Sequence, residues 1–484
     1  TTDAKEGVAG SYIIEISNGA LPTQDVASRK SVSFTAILSA RKVEQKSADI
    51  DVYKEIAKRR QLVQFLQNQL ILETPDPMLN RMFAFSKIKA CESIFQTKAG
   101  PMHGPGGEAY YVAIRANDQA EYANSFFPFI GYQYANESAM VSWKLFEKWQ
   151  PKDGSPIPSS IIAEGDDIWN GAGDRGDAAM IAYGVGRYAL EIGSAKTAKG
   201  SWPLITWFLE YCHRQLNEKG VVKSDHNELE GRFPAGSANL CTSSLYYDAL
   251  ISAAFLSRDL KTGTESKYLR QAKALRRAIE NYFHADIQGF DTYRYYDGNT
   301  LLRSWICLPL TMGIYDHAKG TLEALFSPKL WTENRLLTQQ GDKTYWDRST
   351  LYALRGALQA RETECALDIL KKYSRTRLLG SHVPYAIEAW PEGDQRHLSA
   401  ESALYARVFI EGLFGLRATG LHSFSITPRL PVKWNTMTVC NLHLCGDVFD
   451  FTVERKNQKP VVKIKYNGKT TKRIYLGKPI KYAI

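Results

Sequence analysis

The spacing of apolar positions divides the chain into three textures. Residues 11–50 alternate apolar with polar or run β-branched, as in Tyr12-Ile13-Ile14-Glu15-Ile16 and in Val32-Ser33-Phe34-Thr35-Ala36-Ile37, and predict strands. They are too few to bury a core alone, so they read as a fragment of a larger sheet. Residues 52–70 repeat apolar positions near every 3.6 residues amid many charges, which predicts an amphipathic linker helix. Pro75 and Pro77 mark another helix start. Helical spacing then recurs at about 137–150, 176–194, 202–217, 239–259, 265–283, 302–317, 346–361, 363–374 and 399–415. Loops rich in Gly, Pro, Asp and Trp separate these stretches at 99–108, 151–175, 220–237, 286–300, 336–345 and 380–398. After Gly420 the period returns to two, with turn signals such as Asn467-Gly468.

Helices joined by short turns, with longer loops at alternate junctions, predict helical hairpins. Ten or more helices exceed a four-helix bundle. No sequence repeat recurs at a fixed period, which argues against a solenoid. The expected fold is mainly α: an (α/α)6 toroid of hairpins with its long loops at one end, around a central cavity. An N-terminal β-sandwich fragment and a small C-terminal antiparallel β-domain flank it. The expected boundaries are 1–50 for the β-strand segment, 51–73 for the linker helix, 74–420 for the toroid and 421–484 for the last β-domain.

Composition narrows the function. No run of about 18 apolar residues exists, so no membrane-spanning helix is expected. The 61 Lys and Arg against 51 Asp and Glu give +10, partly from the basic tail between Lys456 and Lys481. No nucleic-acid motif accompanies that charge, so no nucleic-acid partner is expected. The seven cysteines have irregular spacing and no CxxC pair, which excludes a zinc ribbon. Many of the 10 Trp and 26 Tyr lie in loops beside carboxylates. Flat rings with polar edges suit sugar faces, although a large core needs aromatics too. The sequence leaves the oligomeric state open.

Three segments resemble the six-hairpin glycosidase superfamily, which includes glucoamylase, trehalase, processing α-glucosidase, maltose phosphorylase and α-L-rhamnosidase. Lys343-Thr344-Tyr345-Trp346-Asp347-Arg348 is similar to the YWRG segment of trehalases and processing glucosidases. Tyr385 through Trp390, continuing to Ser399, resembles the segment that carries the catalytic base. Gly412 through Pro431 resembles the passage from the last toroid helix into the C-terminal β-domain of rhamnosidases and phosphorylases. The resemblance implies a carbohydrate substrate and a setting in the periplasm or outside the cell. It also implies an N-terminal sheet larger than the 50 residues seen here.

Glycoside hydrolysis needs a protonated carboxyl on one side of the scissile bond and an ionised one on the other. Glu388, between Tyr385 and Trp390, is the candidate base, with Glu392 as rival. For the acid, the resemblance favours the loop before the sixth helix, where Glu230 stands beside Gly231 and Arg232, with Glu228 second. The early loop of rhamnosidases offers Asp118 or Glu121 instead, although the Cys-Pro-Gln-Arg run of that family is absent. Each of these acids could equally hold a turn, a helix start or a nearby Arg.

Further candidates would line the sugar subsites. Asp166, Asp167, Trp169, Asp174 and Arg175 cluster within one loop, where Asp174 also fits a helix N-cap. Trp346, Asp347, Arg348 and Trp390 join them through the resemblance, with Asp347 alternatively a cap. His103, His226, His382 and His397 read as surface histidines, and neither a metal nor another cofactor is expected. The expected activity is an exo-acting, inverting glycoside hydrolase. The alternatives are an inactive carbohydrate-binding toroid, a glycoside phosphorylase and a uronate-processing enzyme.

Overall fold

The computed structural model describes residues 12–18, 36–42, 50–105, 112–169, 176–225, 233–332, 335–379, 386–387, 389–390 and 397–484. Two compact units cover residues 1–65 and 66–484. In the first, Tyr12–Asn18 pairs antiparallel with Ala36–Lys42, from Tyr12 opposite Lys42 to Asn18 opposite Ala36. Helix α1 (Val52–Asn68) carries the chain from one unit to the other.

The second unit holds α2 (Pro77–Glu92), α3 (Phe127–Ile130), α4 (Gln133–Lys148), α5 (Asp177–Ile192), α6 (Ala195–Arg214) and α7 (Leu240–Leu260). It continues with α8 (Glu265–Phe283), α9 (Leu308–Thr311), α10 (Ala318–Leu325), α11 (Asp347–Gln359), α12 (Thr363–Leu379) and α13 (Ser399–Arg407). A π-helical segment, Ala116–Ala123, precedes α3, and another, Val408–Leu413, extends α13. A 3-10 turn, Ser304–Cys307, runs into α9.

Six of these elements form an inner ring: Ala116–Ala123, α5, α7, the segment from Ser304 through α9, α11 and α13. Each packs on the next, and α13 packs back on Ala116–Ala123, which closes the ring. Helices α2, α4, α6, α8, α10 and α12 form the outer layer, each preceding its inner partner in the chain. Burial sorts the two layers. In α5 every residue from Asp177 to Glu191 is buried, whereas α8 buries the stripe Tyr268, Ala272, Leu275, Ala278, Ile279 and Phe283 and leaves its other faces wet. Gly184 on α5 explains how closely the first two inner elements approach. A Cβ there would lie 1.8 Å from the Ala120 carbonyl oxygen.

Local chemistry sets several helix starts. Asp76 caps α2 by accepting from the N–H groups of Met78 (3.0 Å) and Leu79 (3.3 Å), and Pro77 takes the first helical position. Ser194 caps α6, so that helix begins at Ala195, ahead of the expected 202. Helix α5 starts from Gly176 in a left-handed conformation (φ 79°), so the expected cap at Asp174 is not the residue at that position.

Two antiparallel sheets follow the toroid. One has the order Lys469–Ile474, Lys459–Tyr466, Asp447–Lys456, Thr436–Leu444, Ile71–Glu73. The other joins Leu416–Gly420, Ser423–Ile426 and Ile480–Ala483. Phe424 meets Phe449 at 5.2 Å and Tyr482 at 5.1 Å between ring centroids, an aromatic core for the domain. The strand Ile71–Glu73 comes from before the toroid, so the last β-domain is completed by a segment far upstream.

Two elements depart from the apolar pattern. Ala116–Ala123 reads as a loop in sequence because a π-helix does not follow a 3.6-residue period. Helix α10 is only 8 residues long and gives too few periods to stand out.

Candidate active site

Because each hairpin runs from outer to inner helix, the segments leading into inner helices gather at one end of the ring. These are 93–115, 149–176, 215–239, 284–303, 326–346 and 380–398. The six long loops expected from sequence fall within them.

A buried charge cluster stands where the first, fifth and sixth inner elements begin. Arg348, the second residue of α11, donates from Nε to Glu401 Oε1 at 2.8 Å, and its Nη2 lies 2.6 Å from the same oxygen. The same Nη2 donates to Asp118 Oδ1 at 3.3 Å. Asp118 is 3% exposed, Arg348 1% and Glu401 0%. The guanidinium carbon sits 4.7 Å from the Trp346 ring centroid and 5.4 Å from that of Tyr122. Aromatic faces and two carboxylates thus fix one cation where water is excluded.

Polar contacts continue below this cluster. Glu121 accepts from the Tyr352 hydroxyl, and its backbone carbonyl accepts from Arg407 Nη1 at 2.9 Å. Arg407 also donates to the Tyr183 hydroxyl at 2.7 Å and to Glu411 at 3.0 Å, and Arg355 pairs with Glu411 from the other side. Burial pushes the Glu411 carboxyl up, but the Arg407 and Arg355 guanidiniums outweigh it and hold the group down at about 2.

The residues singled out from sequence fall into distinct places. Asp118 and Arg348 meet, and Trp346 stacks against that pair. Glu121 lies in the same region, bonded to Tyr352. Asp347 is turned toward the outer layer. It accepts from Arg377 Nη2 at 2.6 Å and from the Tyr373 hydroxyl at 2.9 Å, both on α12, and so ties the two helices of its hairpin together. Tyr345–Trp346 pairs antiparallel with Ala389–Trp390, which places the fifth and sixth loops side by side. Asp166 is exposed, 3.8 Å from Lys98 Nζ and 3.6 Å from Lys148 Nζ. Asp167 accepts from the next backbone N–H, that of Ile168, and Trp169 is 52% exposed. Glu388, Glu392, Glu228, Glu230, Arg232, Asp174 and Arg175 lie outside the described residues.

His103 corrects the expectation of a surface histidine. It is fully buried, with Nε2 3.0 Å from Ser399 Oγ and Nδ1 3.2 Å from Gln119 Nε2. Burial pushes its imidazole down to about 3, so the ring is neutral at ordinary pH. It staples the loop before the first inner element to the start of the last one.

Two residues escape sequence reading. Glu401 sits in a helix that buries every residue, and a carboxylate inside so continuous a buried run is the signal that marks it. Arg303 leads into the fourth inner element, with Phe233, Tyr295 and Tyr296 around its guanidinium at 5.1 to 6.0 Å. Its Nη2 donates to the Pro234 carbonyl at 2.5 Å, and burial lowers its affinity for the proton.

Among the described residues, His284, Asp291 and His317 come close enough to hold a metal ion, with ligand atoms within 4.8 Å of one another. The two imidazole rings stack at 3.7 Å and 12°, so their in-plane lone pairs run side by side instead of converging on one ion. The geometry is that of a hydrogen-bonded pair around Asp291.

No protein-family model matches the chain. No curated protein matches it either. Solved structures do. A sialidase superposes with a TM-score of 0.63 at 14% identity, covering 85% of this chain and 41% of its own. A kojibiose phosphorylase from the human microbiome gives 0.57 at 11%, covering 98% of this chain and 74% of its own. The α-L-rhamnosidase of Streptomyces avermitilis, solved with L-rhamnose, gives 0.55 at 13%, covering 82% and 37%. The chain spans about two fifths of the length of the sialidase. It has the six-hairpin glycosidase fold.

Proposed function

We propose that this chain is a glycoside hydrolase acting at the end of the ring where the inner helices begin, exo-acting and inverting. Glu230 is the general acid and Glu388 the general base. The observation that carries this reading is the pairing of Tyr345–Trp346 with Ala389–Trp390 next to the Arg348–Asp118–Glu401 cluster. It brings Ala389–Trp390, the segment just after position 388, into register with the tryptophan that stacks on a buried guanidinium, while Ala386–Ile387 just before it pairs with His397–Leu398. The structural neighbours named rhamnosidase and sialidase support the same chemistry.

In this mechanism water attacks the anomeric carbon from the face opposite the leaving group. Glu388 takes the water's proton as the carbon–oxygen bond forms. The glycosidic carbon–oxygen bond breaks, and the leaving oxygen receives the proton of Glu230. Asp118 suits a different duty. Its Oδ1 accepts from Arg348 at 3.3 Å, an arrangement that suits an acceptor for sugar hydroxyls. Its pairing with Arg348 therefore favours Glu230 as acid. Oligosaccharides of the periplasm or cell exterior are the intended substrates.

The test is a panel of aryl α- and β-glycosides and oligosaccharides, with the anomer of the released sugar followed by NMR. Release of the inverted anomer by the intact protein, lost in both Glu388→Gln and Glu230→Gln, is the expected result. Retention of configuration, or activity surviving Glu388→Gln, overturns it. A second reading, phosphorolysis, rests on the kojibiose phosphorylase that covers 98% of this chain. It predicts turnover only with inorganic phosphate and a sugar phosphate as product.

A further inference from the structure

The opposite end of the ring, where the inner helices stop, holds a cavity of about 650 Å³. It lies between those helix ends and the sheet made by Leu416–Gly420, Ser423–Ile426 and Ile480–Ala483. Its size matches pockets that take small solutes.

The walls carry more positive than negative charge. Four guanidiniums line it, those of Arg187, Arg361, Arg417 and Arg429, against the carboxylates of Asp248 and Glu411. Arg187 is already paired with Glu191 at 2.9 Å, and Glu411 with Arg355 and Arg407. Asp248 pairs with Arg417. That leaves two cations with no carboxylate partner among the described residues. Arg429 has a structural duty: its Nε and Nη2 donate to the Leu358 and Gln359 carbonyls and cap the end of α11. Arg361 has no such duty. It is exposed, and one nitrogen donates to the Gly477 carbonyl at 2.7 Å. A guanidinium has five N–H donors, so most of this one remains available.

The same walls offer acceptors and faces. Asp248 is fully buried, and its Oδ2 has no hydrogen-bond partner, while Oδ1 accepts from Arg417. Tyr315 is 43% exposed, and the charges of Arg361, Arg417, Arg429 and Asp248 all act on its phenol. Tyr247 stands beside Asp248 in the wall. An anionic group would satisfy Arg361, hydroxyls would satisfy the free oxygen of Asp248, and the tyrosine rings would cover an apolar sugar face.

We propose that this cavity is a second binding site, separate from the loop end, for a monosaccharide-sized hydroxylated anion, a sugar carboxylate or a sugar phosphate. The inference stands independently of the hydrolase reading, because none of its residues lies in the loops that enter the inner helices.

Calorimetric titration of the full chain with D-glucuronate, glucose 1-phosphate and neutral methyl glucoside tests it. At least one anion binds with one-to-one stoichiometry, more weakly as salt is raised, and methyl glucoside binds at least about 10-fold more weakly. Binding of glucuronate alone names the carboxylate as the ligand, and binding of glucose 1-phosphate alone names the phosphate. Arg361→Met loses about 10- to 100-fold in affinity. The paired variant Arg417→Gln with Asp248→Asn, which leaves no lone buried charge, loses as much, and circular dichroism checks that both variants fold. Glu388→Gln binds as the unaltered protein does, whether or not any glycoside is hydrolysed. Equal affinity for methyl glucoside, unchanged affinity in Arg361→Met, loss of binding in Glu388→Gln, or no binding of either anion at millimolar concentration each overturns the proposal.

Discussion

The two ends of the inner ring hold charge in opposite ways. At the starting end, one guanidinium, Arg348, serves two carboxylates, Asp118 and Glu401, and all three are shut away from water. At the stopping end, guanidiniums outnumber carboxylates around an open volume of about 650 Å³. Helix dipoles give a physical reason for the sorting. Helix starts expose N–H groups and favour anions, while helix ends expose carbonyls and favour cations. Arg429 on the carbonyls of Leu358 and Gln359 is a direct instance. The comparison teaches that the two ends of one ring can carry charge of opposite sense, according to which helix termini face the centre. The large cavity lies away from the loops that resemble the catalytic segments of the superfamily.

The comparison breaks first at Arg348. Arg348→Met leaves Asp118 and Glu401 buried without their shared cation, and chemical denaturation should show a loss of about 3–5 kcal/mol. Arg361→Met, at the exposed end, should change stability by less than about 0.5 kcal/mol. Similar losses in the two variants would erase the distinction between a dry cluster and a solvated one.

Glu388→Gln sharpens it from the side of chemistry. Turnover should fall about 10²- to 10⁴-fold with no change in denaturation midpoint, because Gln keeps the size of the side chain and removes only the base. A large stability loss with little effect on rate would make Glu388 structural.

Acid should attack the two ends in different windows. His103 stays neutral in the folded protein down to about pH 3, while the unfolded chain takes up a proton near 6.5. Its contribution is therefore complete above pH 6.5 and lost as pH falls toward 3, by at most about 1.4 kcal/mol per unit. Glu411 has the usual carboxylate sign. Its folded pKa of about 2 lies below the unfolded 4.5, so its contribution is complete above pH 4.5 and lost on the way to 2. In His103→Gln the slope of stability between pH 6.5 and 4.5 should flatten, while the loss below 4.5 persists. An unchanged slope would show that His103 is already charged in the folded protein.

The smallest effect is expected on the rim. Asp166→Asn removes two exposed contacts to Lys98 and Lys148, so stability should move by no more than about 1 kcal/mol. A rise in KM with kcat unchanged would make the rim part of the sugar subsites. No change in either would confine it to surface ion pairing.

Most of the toroid was legible because outer helices carry one apolar stripe and inner helices repeat small and apolar residues on several faces, both readable from spacing. The helix at 265–283 has the expected bounds to the residue. Ala116–Ala123 was not legible, because π-helical spacing escapes the 3.6-residue template, and it is the element that carries Asp118. The site was legible in part. Trp346 and Arg348 stood in a recognisable segment. Asp347, between them, turned out to serve the outer helix, since consecutive helical residues point in different directions. Glu401 gave only a weak signal, because a Glu in a helix is ordinary until its burial is known.

Period, caps and turn residues determined which stretches of this chain become helices and strands, since those preferences act over a few residues. Asp76 with Pro77 and Asn467-Gly468 work without regard to the rest of the molecule. Which charges share a site was decided only by closure of the ring. Asp118 and Arg348 are 230 positions apart, and Arg348 and Glu401 are 53 apart. No local preference links residues at such separations. They meet because six amphipathic hairpins bury their apolar faces best when the last packs against the first, and that closure leaves the starts of the inner helices facing a common centre.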